Sequence, residues 1–337
     1  MPVSIIVGGQ FGSEGKGKVA YFFARQMAAA AVLRVGGPNS GHTVIRDDGT
    51  PLVLKQLPTA ALLNDVLCVL PAGSYIYPDL LLEEIRVSGL HESRLIVDPN
   101  AVVIGQDELD AEKGQGLREA IGSTNSGTGA GLIKRISRKH GVKFAANEGS
   151  LKQFIRPTLP LMRKLLQAKK RIIIEGTQGH GLSVLHTEYY PYCTSRDTTA
   201  AGFLSEAGLS PVDVDDIVLV IRTFPIRVGG KSGPLSKETD WKTVTEYGGS
   251  KTELIEFTSV TQTVRRVAFF DPQVVYQAIA HNNPTKIVMN HMDYIDAGCS
   301  EGVLTKKAEE FIATVEQKIG RRIDYVGTSP AALLAIR

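Results

Sequence analysis

Cysteine is scarce in this chain of 337 residues: Cys68, Cys193 and Cys299 are odd in number, far apart and without CxxC spacing. That argues against a disulfide framework or a zinc site and for a reducing cytosol. Long apolar runs are missing too. No stretch approaches the ~18 unbroken apolar residues of a membrane helix, and the start of the chain lacks a signal-peptide pattern. The reading is a soluble cytoplasmic protein without a membrane partner. Excess charge of one sign is also absent: the net charge is +3, too mild to argue for nucleic acid. Lys134-Arg135 with Arg138-Lys139, and Lys169-Lys170-Arg171, read as solvated faces or anion contacts. No linker, repeat or low-complexity segment cuts the chain. With 43% hydrophobic residues it can bury a large core, and 1–337 reads as a single elaborated domain.

Glycine is abundant, and it follows apolar runs. Ile5 to Val7 reads as a buried strand that breaks into Gly8, Gly9, Gly12, Gly15 and Gly17, interleaved with Lys16 and Lys18. The spacing of Val19, Phe22, Phe23, Gln26 and Met27 then predicts a helix. Strand, glycine-rich turn and lysine-bearing helix start form a geometry that cradles phosphates. Backbone N–H groups close on the oxygens, the helix N-terminus adds positive potential, and the lysine neutralises charge. The spacing departs from the usual P-loop, which has Ser or Thr after its Lys; here position 17 is Gly. Taken alone, a purely structural turn stays open.

Further apolar runs predict strands at 31–35, 66–70, 95–97, 102–104, 171–176, 217–221 and 286–290, and a hairpin over 45–55 turning at Asp47-Asp48-Gly49. Helical patterns cover 78–87, 132–140, 148–168 and 305–319, the last ended by Gly320. Residues 122–131 read as a long flexible loop, a mobile element over a ligand. Short apolar strands alternating with helices predict an α/β fold with a large, mostly parallel central sheet and surrounding helices.

Ligands of such sheets bind beyond the carboxyl ends of the strands, and polar, glycine-rich segments follow strands at 8–18, 36–43, 176–202 and 290–296. Asn39 and His42 bracket Gly41; a histidine there is a general acid, a phosphate partner or a turn residue bonded to backbone. Gln178 just past a strand reads a base or a carbonyl, or simply sits in a turn. Tyr190 to Thr199 supplies hydroxyls and one arginine, suited to a phosphate or to a helix cap. Arg265-Arg266 offers a bidentate carboxylate clamp or a plain surface pair.

Taken in order, seven stretches resemble the adenylosuccinate synthetase family over essentially the whole chain. They are Gly9 to Lys18, Gly37 to Thr43, Gly122 to Gly129, Glu175 to Gly179, Tyr190 to Ser195, Arg227 to Gly229 and Arg265-Arg266. The resemblance implies a C–N ligase: a nucleotide γ-phosphate activates the 6-oxo group of a purine monophosphate, and L-aspartate displaces it. It implies that Ser13, Lys16 and His42 are catalytic, and that Gly12, Ser13, Glu14, Gly15, Lys16, Gly17, Lys18, Gly41, His42 and Thr43 hold phosphates. Ser13 and Gly41 would ligate Mg²⁺. Ser13, Asn39, Ser40, Ser123, Thr124, Gln178, Thr194 and Val228 would bind the purine monophosphate, with Arg138 reaching across a homodimer. Thr261, Gln262, Thr263, Arg265 and Arg266 would bind aspartate; Asn290, Asp293, Gly327 and Thr328 would bind the donor base.

Four departures from the family pattern bear on the substrate. Ser13 stands where the family has Asp, its general base on purine N1 and a Mg²⁺ ligand. A serine hydroxyl does not replace a carboxylate as base and ligates Mg²⁺ weakly. The Asp would collide with a 2-amino group, whereas Ser leaves room and accepts a hydrogen bond from the amine. Ser40, usually Ala, fits a rewired pocket. This pattern resembles the bacteriophage branch of the family, which acts on dGMP in making diaminopurine DNA. The guanine-reading Thr-Lys-x-Asp appears as Asn290-His-Met-Asp293, which favours ATP or dATP over GTP as donor. Gln262-Thr263-Val264 replaces Thr-Gly-Arg, so aspartate contacts must partly differ. Two alternatives remain at this stage: an ordinary enzyme using IMP, aspartate and GTP, and a non-catalytic nucleotide-binding module.

Overall fold

The computed structural model describes residues 2–138, 140–258, 262–300 and 302–336. Strand β1, Val3–Gly8, is buried at all six positions. Its apolar side chains alternate between two faces, so both faces of the sheet must be covered. Ile5 and Val7 pack with Leu33, Ile172, Ile174, Leu219 and Ile221 on one side. Ile6 packs with Val32, Ile173, Val218 and Val220 on the other, against Val19 and Phe23 of helix α1, Lys16–Gln26.

Nine strands form the central sheet, in the order Leu334–Ala335, Tyr325–Val326, Lys286–Asn290, Val214–Arg222, Val3–Gly8, Ile172–Glu175, Ala31–Arg34, Leu67–Leu70, Leu95–Val97. Neighbours pair in parallel except for the antiparallel edge pair 325–326 with 334–335. Parallel register brings the carboxyl ends together: Arg34 lies opposite Glu175, and Arg222 opposite Asn290. All four are buried. The α/β fold with a large parallel sheet is therefore as expected from the alternating apolar runs.

Local departures have physical causes. The hairpin pairs His42–Ile45 with Pro51–Leu54, so it begins three residues earlier than the sequence suggested and takes in His42. The segment expected as a flexible loop over 122–131 runs into a helix at Thr128–Ile136. Glu112 fixes that start, accepting from the N–H groups of Gly127 at 2.8 Å, Gly129 at 2.6 Å and Ala130 at 3.2 Å, the free donors of a helix N-terminus. The helix expected over 148–168 splits into a 3-10 turn, Gly149–Phe154, and an α-helix, Thr158–Gln167. Pro157 between them removes a donor and disfavours helical backbone at Arg156. Helices Gln106–Gly114, Ala200–Ala207, Trp241–Gly248 and Pro272–Asn282 were not expected from the sequence.

Candidate active site

A cavity of about 1220 Å³ opens over the carboxyl ends of the strands. Its lining includes Gly12, Ser13, Gly15 to Lys18, Asn39 to Thr43, Ser123, Thr124, Gln178, Thr194, Val228, Thr263, Arg265, Asn290 and Asp293. Most of the residues singled out from sequence thus meet in one place. Glu14, Gln262, Arg266, Gly327 and Thr328 are not among the lining residues, although Ser329 and Pro330 are. Arg138 is exposed outside the cavity. Thr261 lies outside the described residues.

The phosphate turn is shaped by left-handed backbone at Gly12 (φ 88°), Ser13 (φ 57°) and Gly15 (φ 88°). Gly15 caps α1 in a conformation that a side chain would strain. Glu14 turns inward: its Oε1 accepts from the N–H groups of Gln10 at 3.1 Å and Gly12 at 2.8 Å, and its Oε2 pairs with Lys16 Nζ at 2.6 Å. The departure at Gly17 also has a reason. A Cβ there would lie 2.7 Å from His42 Cβ and 2.8 Å from Thr59 Cγ2, so the hairpin can close on α1 only over glycine.

His42 sits in a buried polar knot that the sequence reading did not anticipate. Its Nδ1–H donates to Glu175 Oε1 at 2.6 Å, and Arg34 Nη1 donates to His42 Nε2 at 2.9 Å and to Glu175 Oε1 at 3.0 Å. Glu175 Oε2 accepts from Thr59 N and Thr59 Oγ1, both at 3.0 Å. Burial, then the charge of Arg34, push the His42 pKa down to about 3, so the ring is neutral in this arrangement. Burial works to raise the Glu175 carboxyl, but the His42 hydrogen bond and the Arg34 charge hold it below the ordinary range.

A second knot lies at Ser13. Arg222 Nη1 donates to the Ser13 carbonyl at 2.9 Å, and Arg265 Nη1 donates to Ser13 Oγ. Both arginines share Glu256, at 3.2 Å from Arg222 Nη1 and 3.7 Å from Arg265 Nη1; Tyr294 Oη donates to the same carboxylate at 3.1 Å. Burial opposes ionisation of Glu256, yet Arg222 and its neighbours bring its pKa to about 2. The adjacent arginines, read from sequence as a carboxylate clamp or a plain surface pair, point apart. Successive side chains of an extended chain point to opposite sides, and Arg266 pairs with Glu238 at 2.7 and 2.6 Å while Arg265 faces the cavity.

Metal ligands are the weakest part of the site. Ser13 and Gly41 face the cavity with neutral oxygens, and Ser13 Oγ is already taken by Arg265. Among the described residues no group of three or more His, Cys, Asp or Glu side chains could hold a metal ion. Mg²⁺ is normally held by carboxylates together with substrate phosphates. Ser13 and Gly41 would therefore hold Mg²⁺ only together with the phosphates of a bound triphosphate.

Comparison with known proteins matches this architecture. The family model for adenylosuccinate synthetase matches residues 5–148 and 143–300. Adenylosuccinate synthetase of Methanocaldococcus jannaschii is 33% identical over 335 residues, covering 97% of this chain and 94% of that protein. The fully ligated enzyme from Plasmodium falciparum superposes with a TM-score of 0.88 over 100% of both chains; at 20% identity it bears on fold alone. Succinoaminodeoxyadenylate synthetase (PurZ) of cyanophage S-2L, bound to dGMP and to dATP as an energy donor, superposes with a TM-score of 0.84. It is 30% identical and covers 99% of this chain and 95% of that one. The chain belongs to the adenylosuccinate synthetase family. It is a C–N ligase of that type, acting on nucleotide and aspartate substrates.

Proposed function

We propose that this ligase condenses L-aspartate with C6 of dGMP, using ATP or dATP in preference to GTP. The observation that carries the reading is Ser13. It faces the cavity where the family places a carboxylate, and its hydroxyl is held by Arg265. The longer aspartate side chain there would collide with a 2-amino group; a hydroxyl fixed by an arginine leaves room and keeps a free lone pair for the amine. Similarity to the cyanophage enzyme bound to dGMP and dATP supports the same reading.

In the reaction the purine passes its N1 proton to the carboxylate of the incoming aspartate or to water at Ser13, and O6 attacks the γ-phosphorus, releasing the nucleoside diphosphate. The aspartate amine then attacks C6, the C–O bond to phosphate breaks, and the amine loses a proton. Lys16, the backbone of 12–18 and the start of α1 spread the charge of the transferring group. Polyphosphate brought beside His42 opposes burial and Arg34, raising the affinity of the ring for a proton; it then stabilises the developing charge. Glu256, held ionised by Arg222, is too weak a base to take the N1 proton. Asn39, Ser40, Ser123, Thr124, Gln178, Thr194 and Val228 hold the purine nucleotide, and Arg265 the aspartate carboxylate. Mg²⁺ arrives as the complex of the triphosphate. Asp293 reads the donor base beside His291, which takes the place of the family's lysine; burial raises the Asp293 pKa. The exposed Arg138 completes a neighbouring subunit's site in a cytoplasmic homodimer.

A specific observation favours a second reading. The archaeal relative at 33% identity is an adenylosuccinate synthetase, so IMP with GTP is the alternative substrate pair. Mass analysis of the products from dGMP, aspartate and ATP, beside IMP, aspartate and GTP, separates the two. A succinylated 2-amino-deoxyadenylate product supports the proposal; product from IMP alone overturns it.

A further inference from the structure

Lys16 and Lys18 lie two residues apart at the start of α1, yet their side chains go to different places. Lys16 Nζ pairs with Glu14. Lys18 Nζ donates to the backbone carbonyls of Ser329 at 3.0 Å and Ala332 at 3.2 Å, near the end of the chain. The same junction is closed from a third direction. Asn290 Nδ2 donates to the Glu14 carbonyl at 2.7 Å, Met292 N to the Gly327 carbonyl at 2.9 Å, and Gly327 N to the Met289 carbonyl at 2.8 Å. There is no spare room: a Cβ at position 327 would lie 2.3 Å from Lys18 Nζ and 2.0 Å from Asn290 Oδ1. Ser329 and Pro330 line the cavity together with Asn290, His291 and Asp293.

We infer that Lys18 is a positioning residue, which fixes the segment carrying the donor-base contacts against the phosphate turn, and is not itself a phosphate ligand. The inference rests on the reading that the base of the triphosphate docks between 290–293 and 327–330. An ammonium has three donors; two are spent on carbonyls, and the charge faces Asp293 and, more weakly, His291. Such an arrangement acts on binding of the triphosphate through geometry, since loss of the clamp lets base and phosphate subsites move apart. Burial lowers the Lys18 pKa to about 8, against the pull of Asp293. The clamp is therefore fully charged below that pH and weakens above it.

The test is steady-state kinetics of the full chain, with KM for the triphosphate and for the purine monophosphate measured separately. Lys18→Met should raise KM for ATP about tenfold and leave KM for dGMP within about twofold, the pattern of a lost binding-geometry contact. Lys18→Arg should keep a low KM and abolish the rise in KM for ATP that the unaltered enzyme shows above pH about 8. Gly327→Ala should shift KM for ATP in the same direction as Lys18→Met. A Lys18→Met enzyme whose kcat falls as far as that of Lys16→Ala, with KM for ATP unchanged, overturns the inference and makes Lys18 a phosphate ligand. Asp293→Asn reports on the docking reading itself: if it alters KM for the monophosphate and not for ATP, that reading fails and takes the inference with it. Should IMP and GTP prove to be the substrates, the same comparison is made with them.

Discussion

On one wall of the cavity, charge closes on itself. Lys16 pairs with Glu14, and Arg34 with Glu175, the latter also holding a neutral His42. Behind a second stretch of wall, at Ser13, two guanidiniums, Arg222 and Arg265, share the single carboxylate of Glu256, and the surplus reaches Ser13. In the proposed function the first wall would bind polyphosphate with backbone donors and a helix terminus, groups that need no net charge. The second keeps one positive charge in reserve. In the proposed function the family's aspartate at position 13 would take it up, whereas Ser13 would leave it for substrate. Buried charge is stable here only where a partner or a ligand answers it.

Breaking the first wall should have the largest effect. His42→Ala is expected to cut kcat by about 10³ without unfolding the protein, in the range typical for a lost acid–base group. Near-normal turnover in a stopped phosphate-release assay would remove its role. The second wall is sensitive in stability. Glu256→Gln leaves two guanidiniums sharing an uncharged partner and should cost about 3–5 kcal/mol in denaturant unfolding, as for other broken buried pairs. An unchanged midpoint would mean that solvent already compensates Arg222.

Ser13→Asp sharpens the comparison, since the new carboxylate would neutralise Arg265. The ratio of kcat/KM for dGMP over IMP should fall by at least about tenfold, which is the effect of one clash or unpaired group; an unchanged ratio would end the steric argument. The smallest effect lies away from both walls. His180, buried and with no hydrogen-bond partner for either ring nitrogen among the described residues, packs against His281 and His186 at ring distances of 4.8 and 6.5 Å. Burial, then its two histidine neighbours, lower its pKa from 6.5 to about 4, with Asp197 opposing. The folded state thus binds fewer protons than the unfolded one in that window. Stability is fully present above pH 6.5 and is lost on acidification, by about 1–2 kcal/mol between pH 7 and 5. His180→Phe should flatten that part of the pH–stability curve.

Much of this site was legible because its residues follow strands. Gly12, Ser13, Gly15 to Lys18, Asn39, His42, Gln178 and Thr194 all sit in polar stretches just past apolar runs, and they line one cavity. The partners that hold them were harder to see. Arg34 and Glu175 are the last residues of otherwise apolar strands, and Arg222 follows the apolar run Ile217 to Ile221, where a charge looks like an ordinary strand end. A charged residue that closes a buried apolar run was the available signal, shared by the fully buried strands of Arg34 and Glu175 and by the buried second half of the strand of Arg222. Glu256 gave no such signal, because its role comes from Arg222, 34 residues earlier in the chain. Helices were missed where the apolar stripe was thin, as in the polar run Gln106–Gly114. They were also missed where the helix was too short for its apolar stripe to repeat, as in the eight residues of Ala200–Ala207.

The most direct test of the central claim is a competition in one vessel. Equimolar dGMP and IMP, with aspartate, Mg²⁺ and ATP, are converted and the two succinylated products quantified at low turnover. The account expects the dGMP-derived product to exceed the IMP-derived one by more than about tenfold, the discrimination that one misplaced group at position 13 supplies. An excess of the IMP-derived product would contradict it and return the enzyme to ordinary adenylosuccinate synthesis.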